Sequence, residues 1–189
     1  MSRRPAPADL SPHSGVRVGL IVGILMLLLG VVAEVTHLPW VFPSLGASAF
    51  ILIGLPAAAP ASSKFAVCSH LIGITCGALA LLVFGLFATP ANLTDVSSAR
   101  VGAIALACFL TTLVMLLLKV PHPPALATTL IVALGLLRTP RDFAVMAMSV
   151  VLLVVLARIA NYLRGYRLPL WGPPTSQVVT VDIGKALSP

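Results

Sequence analysis

The stretch VRVGLIVGILMLLLGVVAEVT at residues 16–36 contains no charged side chain between Arg17 and Glu34. About 20 apolar residues, each rising 1.5 Å along a helix, cross the hydrocarbon core of a bilayer. The stretch is therefore predicted to be a membrane-spanning helix. It follows basic residues but lacks a clear small-residue cleavage site, so it is interpreted as a retained helix rather than a signal peptide.

The composition of the whole chain agrees with this prediction. The chain has 189 residues, of which 59% are hydrophobic and 9% charged, and its mean hydropathy is +1.08. A soluble domain carries roughly 25% charged residues, which its surface needs for solvation by water. The predicted fold class is all-α, a polytopic transmembrane helix bundle, and its first partner is the lipid bilayer.

Further apolar runs follow the first one, and they differ in length. Three are long, at residues 65–88, 101–118 and 143–163, and two are short, at residues 41–55 and 123–137. Each short run opens on proline, continues with small and hydroxyl residues, and ends in an aliphatic stretch with glycine. The order long, short, long occurs twice, which predicts two three-element repeats at about 16–88 and 100–163. Three passes per repeat would make the repeats inverted in topology.

The distribution of positive charge tests how the short runs are placed. The formal net charge is +7, and the basic residues are grouped at the ends of apolar runs. We interpret them as topogenic charge and expect no nucleic-acid binding. Six passes put more Lys and Arg on the side of both termini than four passes with re-entrant short runs. The positive-inside rule therefore favours six passes with both termini cytoplasmic, the short runs being oblique or broken helices.

The predicted domain organisation has three parts. Residues 1–14 are predicted to form a disordered cytoplasmic tail, residues 15–165 the transmembrane domain, and residues 166–189 a loosely ordered C-terminal tail. The expected location is the inner (plasma) membrane of a bacterium.

The proline-initiated short runs contain the candidate site. Proline is favoured in the first turn of a helix, and helix N-termini offer N–H groups and partial positive charge to anions. Two such N-termini that converge would suit a small anion. The added hydrogen-bond donors would be His122 and the hydroxyls of Ser44, Ser48, Thr128 and Thr129. His70, in a long run, could line the route or carry a proton, since ionisable groups within a membrane suggest function. The predicted substrate-binding residues are Ser44, Gly46, Ala47, Ser48, His70, His122, Pro123, Pro124, Ala125 and Thr128. The alternative is that proline and small residues merely allow tight packing.

No enzymatic signature is present in the sequence. Cys68, Cys76 and Cys108 lack metal-ligand spacing, and only Glu34 and Asp142 are acidic residues near a membrane segment. We therefore expect no enzyme, no catalytic residue, no metal site and no cofactor. An intramembrane enzyme with His70 and His122 as acid and base is the least favoured alternative.

The stretch Pro121–His122–Pro123–Pro124–Ala125 resembles the signature of the HPP family of membrane proteins. Residues 43–49 (PSLGASA) and 69–71 (SHL) are similar to two other elements of that family, in the same order, and the resemblance covers about residues 16–165. It implies four transmembrane helices. Because plastid and cyanobacterial members are associated with nitrite transport, it also implies nitrite as a candidate substrate.

Two functional hypotheses follow. The first is a transporter or channel for a small anion, with nitrite as the candidate and the site between the N-termini of the two short helices. The alternative is a non-transporting membrane scaffold or accessory subunit that binds partner helices. Glycines four residues apart favour close helix approach, so a homo-oligomer could form through the faces of Gly15, Gly19 and Gly23 or of Gly73 and Gly77.

Overall fold

The computed structural model describes residues 12–170. The predicted tails at residues 1–14 and 166–189 lie for the most part outside this range. The described residues form six α-helices and one short 3-10 helix at Ala59–Ala61. The α-helices are α1 (Pro12–Thr36), α2 (Pro43–Gly54), α3 (Ser63–Val83), α4 (Ser98–Leu117), α5 (Ala125–Ala133) and α6 (Pro140–Leu163).

The prediction of an all-helical membrane bundle is confirmed. Helices α1, α3, α4 and α6 are long and apolar enough to cross a bilayer. Helices α2 and α5 have only 12 and 9 residues, and no strand occurs among residues 12–170. The bundle therefore has four full-length helices and two short ones, in the predicted order.

Proline determines where the short helices begin. Phe42 has an extended backbone, with φ −129° and ψ 148°, and Pro43 begins α2, because its fixed φ suits the first helical turn. Helix α5 begins two residues later than the predicted run, at Ala125. The N–H groups of Ala125, Leu126 and Ala127 donate to the carbonyls of His122, Pro123 and Pro124. The His-Pro-Pro stretch thus folds into a turn that leads into α5.

Four helix ends meet at one end of the bundle, which we call the terminal end. At the end of α2, the carbonyl of Leu52 accepts from Asn161 at 3.0 Å and that of Ile53 accepts from Arg164 at 2.9 Å. The N–H of Ser63, at the start of α3, donates to the Pro169 carbonyl. Val18 of α1 packs against Gly54. The start of α1, the end of α2, the start of α3 and the end of α6 therefore lie together.

The other helix ends meet at the opposite end. The Arg100 guanidinium, at the start of α4, donates to the carbonyls of Ala133 at 3.2 Å and Thr89 at 2.8 Å. Arg138, just before α6, donates to the Ala88 carbonyl at 3.1 Å. These contacts join the end of α3, the start of α4, the end of α5 and the start of α6. Direction thus alternates from each helix to the next, as a chain of six passes requires.

Both short helices begin near the middle of the bundle. At 1.5 Å per residue, Pro43 lies about 16 Å from the end of α2 at Gly54. Gly73 packs against the Ala125 carbonyl and lies about 15 Å from the start of α3 at Ser63. Helix α2 therefore runs from mid-depth to the terminal end, and α5 runs from mid-depth to the opposite end.

Helix α3 is the centre of the bundle and contacts α4, α5 and α6. Its glycines allow the close approach of α5. A Cβ on Gly73 would lie 2.8 Å from the Ala125 carbonyl oxygen, and one on Gly77 would lie 2.8 Å from the Val132 Cβ. The glycine spacing therefore serves packing within the chain at this place, as expected for small residues between membrane helices.

Candidate functional site

A cluster of buried polar side chains lies where the two short helices begin. Its members come from α2, α3, α5 and the stretch before α5. Each has at most 1% of its surface exposed: Ser44, Ser48, Ser69, His70, His122 and Thr128. Polar groups removed from water at this depth need hydrogen-bond partners. We call these six residues the polar cluster.

Ser48 is the centre of the polar cluster. Its Oγ lies 2.9 Å from His70 Nε2 and 2.9 Å from His122 Nε2. The two imidazole rings have their centroids 5.3 Å apart and are tilted by 58°. The same Oγ also lies 3.0 Å from the carbonyl oxygen of Ser44. One hydroxyl therefore joins both buried histidines to helix α2.

The other ring nitrogens tie the histidines to separate parts of the fold. His122 Nδ1 lies 2.7 Å from the carbonyl oxygen of Pro60, and His70 Nδ1 lies 2.7 Å from Thr128 Oγ1. The Thr128 hydroxyl donates to Ser44 Oγ at 2.9 Å. The N-terminal turns of α2 and α5 are thus in direct side-chain contact.

Local sequence explains how these side chains point inward. Ser44 and Ser48 are four residues apart, so they lie on one face of α2. His122 precedes a proline, which disfavours helical backbone at His122. The stretch before it is held against α3, because the Ser69 hydroxyl donates to the Val120 carbonyl.

The structure brings together five of the ten predicted site residues, namely Ser44, Ser48, His70, His122 and Thr128. Gly46 and Ala47 lie on the other faces of α2, and Ala47 is exposed, as is Pro123. Pro124 and Ala125 are buried, but the Ala125 N–H already donates to the His122 carbonyl. The first turn of α5 therefore contributes side chains to the site. Its N–H groups instead form hydrogen bonds within the preceding His-Pro-Pro turn.

Sequence reasoning missed three groups of this environment: Thr111, Ser69 and the Pro60 carbonyl. The Thr111 hydroxyl oxygen lies 2.9 Å from that of Thr129, which the sequence had suggested as a further donor. Ser69 directly precedes His70 in the sequence, which is a signal that could have identified it. The Pro60 carbonyl has no such signal, because any residue type supplies a carbonyl.

Two arginines cap the C-terminal ends of the short helices, although the sequence alone had suggested only a topogenic role for them. Arg100 donates to the Ala133 carbonyl at the end of α5, and Arg164 donates to the Ile53 carbonyl at the end of α2. A guanidinium at a helix C-terminus offsets the negative end of the helix dipole. The positive ends of both helices point towards the polar cluster, where no acidic side chain contacts either imidazole in the described chain.

An apolar groove of about 580 Å³ lies between α3 and α6, beside the polar cluster. Its lining includes His70 and Trp40 together with aliphatic residues of both helices. The indole Nε1 of Trp40 is buried and has no hydrogen-bond partner among the described residues. Within residues 12–170, no three His, Cys, Asp or Glu side chains come close enough to share a metal ion.

A comparison with protein families identifies the chain. The family model described as "HPP, transmembrane region" matches residues 7–169. The chain therefore belongs to the HPP family, and the resemblance seen at residues 121–125 is confirmed. No match was found among curated proteins or among solved structures.

Proposed function

For this member of the HPP family we propose the function of a membrane transporter or channel for a small anion, with nitrite as the first candidate. The observation that carries the proposal is the contact between the N-terminal turns of α2 and α5 at mid-depth, through Ser44 and Thr128. Short helices that begin inside a bundle are a known way to build ion and substrate sites in transporters.

Electrostatics supports an anion rather than a cation at this place. Two helix dipoles have their positive ends at the polar cluster, and Arg100 and Arg164 compensate their negative ends. The polar cluster itself consists of hydroxyls and imidazoles. A hydroxyl donates a hydrogen bond to an anionic oxygen, and an imidazole does so from Nε2 once that nitrogen is protonated. A cation site would need carboxylate or free carbonyl oxygens, whereas no acidic side chain of the described chain contacts the cluster.

Anion binding requires the polar cluster to open. In the described arrangement the Ser48 hydroxyl occupies the space between the two Nε2 atoms, and His70 and His122 are fully buried. We propose that the two rings separate and that an oxygen of the anion enters beside Ser48, where it accepts hydrogen bonds from the Ser48 hydroxyl and from a protonated Nε2. Nitrite is small enough to enter there, since it presents two oxygens on one nitrogen.

We also propose that the two halves are inverted repeats. The contacts between helices support this, because α1–α2 is matched by α4–α5, α3–α5 by α6–α2, and α3–α4 by α6–α1. Ser48 and Thr129 each form a hydrogen bond to the carbonyl four residues earlier. In such folds the halves move against each other around the central site. We place the terminal end in the cytoplasm of a bacterial inner membrane, since positive charge favours that side.

Uptake of nitrite into proteoliposomes tests the proposed function. Liposomes with wild-type protein are expected to take up more nitrite than empty liposomes. In His122→Asn this protein-dependent uptake is expected to be at least about tenfold lower, because a tenfold change corresponds to the loss of one hydrogen bond to a charged group. The matched control is His37→Asn, because His37 is exposed and has a φ of 53°, which asparagine tolerates. Equal uptake by both variants would show that the polar cluster is not part of the transport pathway.

The alternative function is that of a scaffold or accessory subunit, and the feature that supports it is an open glycine face on α1. Gly15, Gly19 and Gly23 of α1 have no atom within 4 Å of an added Cβ, so a partner helix could approach this face closely. A second copy of the chain is the partner we propose. Cysteine crosslinking in membranes through Gly19→Cys tests this idea, and a chain that remains monomeric in every condition would reject it.

A further inference from the structure

The hydrogen atoms of the polar cluster can be counted, starting at His122. Its Nδ1 faces the carbonyl oxygen of Pro60 at 2.7 Å. A carbonyl only accepts, so Nδ1 must carry a proton. In a neutral imidazole the other nitrogen, Nε2, then holds a lone pair and can only accept.

The same count applies to His70. The Thr128 hydroxyl donates its one proton to Ser44 Oγ. It can therefore contribute only a lone pair to His70 Nδ1, which lies 2.7 Å away. His70 Nδ1 must then be the donor, and Nε2 of neutral His70 is likewise an acceptor.

Both acceptors face the same hydroxyl. Ser48 has one proton, and three acceptors lie within hydrogen-bond distance of its Oγ: the two Nε2 atoms and the Ser44 carbonyl. With both imidazoles neutral, at least one buried Nε2 receives no proton. One added proton corrects this shortage. The protonated Nε2 donates to Ser48 Oγ, and the Ser48 hydroxyl donates to the other Nε2.

From this count we infer that His70, Ser48 and His122 form a binding site for one proton, and that the proton moves together with each anion. The inference rests on the proposed function and adds its coupling ion. The anion and the proton enter from one side of the membrane and leave together to the other side. Each transport cycle therefore moves no net charge.

The surroundings limit the site to one proton. A second proton would put two positive charges on rings whose centroids are 5.3 Å apart, in a region of low dielectric constant. The groups in contact with the two rings are uncharged: Ser48 of α2, Thr128 of α5 and the Pro60 carbonyl. The groove that His70 lines between α3 and α6 is also lined by uncharged residues, among them Met148 and Trp40. A single buried positive charge without a counter-ion is costly. The anion itself supplies the counter-charge.

The test uses proteoliposomes in weak buffer with nitrite as the probe. Nitrite uptake and external pH are recorded together, and empty liposomes are subtracted because nitrous acid crosses lipid unaided. We expect one proton to disappear from the outside per anion taken up. An inward proton gradient should raise the initial rate several-fold, and a potassium–valinomycin potential should leave it unchanged.

The outcomes separate the two proposals. Uptake that follows the membrane potential without proton movement would overturn the coupling inference and leave the transport proposal standing. No uptake above empty liposomes would overturn both. Uptake with a proton-to-anion ratio near one would support both proposals, provided that the His37→Asn control shows the same ratio.

A second measurement does not depend on transport or on a variant that folds. Nitrogen-15 spectra of histidine-labelled wild-type protein in detergent distinguish protonated from unprotonated ring nitrogens. Without nitrite, we expect both buried histidines to carry the proton on Nδ1. With saturating nitrite, we expect the pair to gain one proton, shared between the Nε2 positions. An Nε2-protonated tautomer in the nitrite-free protein, or no change on nitrite addition, would overturn the inference.

Discussion

Helices α2 and α5 begin at similar depth after proline, yet they are packed in different ways. Helix α5 lies against α3 so closely that a Cβ on Gly73 would be 2.8 Å from the Ala125 carbonyl. Helix α2 has an open side, where a Cβ on Gly46 would meet no atom within 4 Å and where 54% of Phe50 is exposed. One short helix is part of the core, and the other lies at its edge.

The hydroxyl groups of the two helices also differ in their hydrogen-bond partners. Thr129 of α5 pairs with Thr111 of α4, whereas Ser48 of α2 pairs with both buried histidines. Similar local sequence therefore has different consequences, because the neighbouring helix decides what a side chain meets. Helix α5 supplies a fixed wall of the site, with the Thr128 hydroxyl against His70 alone, whereas α2 supplies the hydroxyl that contacts both histidines.

The packing difference predicts opposite effects of one substitution at two glycines. Gly73→Ala should lower the free energy of unfolding by about 2 kcal/mol, because its Cβ meets backbone, which cannot yield like a side chain. Gly46→Ala should raise it by up to about 1 kcal/mol, because alanine favours helix and the space is open. Thermal unfolding of the purified variants in detergent, followed by tryptophan fluorescence, measures both.

Helix propensity acts equally in the two glycine variants, so each serves as the control for the other. Equal melting temperatures for the two variants would contradict the proposed difference between α2 and α5.

The hydroxyl difference predicts the next largest effect. Ser48→Ala removes the only hydroxyl between the two Nε2 atoms, and nitrite uptake should fall at least about tenfold, since about 1.5 kcal/mol is lost with such a hydrogen bond. Thr129→Val keeps the side-chain shape in α5 and should leave uptake within about twofold. Initial rates in proteoliposomes, normalised to folded protein by size-exclusion chromatography, measure this.

Equal losses of uptake from the two hydroxyl variants would mean that α2 and α5 contribute alike to the site. The distinction drawn between a fixed wall and a functional hydroxyl would then be wrong.

The glycines also show how far the sequence alone could predict the fold. Spacing of four residues occurs at Gly19 and Gly23 and again at Gly73 and Gly77, and helix type and length were predictable for both stretches. Only the second pair packs within the chain, while the first faces outward. Sequence spacing creates a smooth helix face, but which face meets a neighbour depends on the arrangement of all six helices.

The candidate site was predictable to a similar extent. The residue types at Ser48, His70 and His122 indicated a buried polar centre, because such groups are costly in a membrane. The contact of His122 with the Pro60 carbonyl was not predictable, since a carbonyl has no sequence signature. Nor was the role of Arg100, because a basic residue at the end of a span is equally expected from the positive-inside rule.

The helix ends predict a smaller difference. Arg100 is 4% exposed and serves the Ala133 carbonyl of α5 and the Thr89 carbonyl, whereas α2 shares its end carbonyls between Arg164 and Asn161. Arg100→Gln should therefore destabilise the protein by about 1.5 kcal/mol, and Arg164→Gln by about half of that. Midpoints of unfolding in detergent provide the comparison, and a larger effect at Arg164 would reverse the assignment of α5 to the core.

The smallest effect is expected at a residue of α2 that faces away from the polar cluster. Ala47 lies beside Ser48 in the sequence but is exposed, so Ala47→Leu should change stability by less than about 0.5 kcal/mol. It should also leave nitrite uptake at the wild-type rate, because no cluster residue contacts that face. A loss of uptake with intact folding would mean that the exposed side of α2 meets another part of the protein during transport. The contrast between a packed α5 and an open α2 would then describe one stage of a cycle, with α2 as the helix that closes.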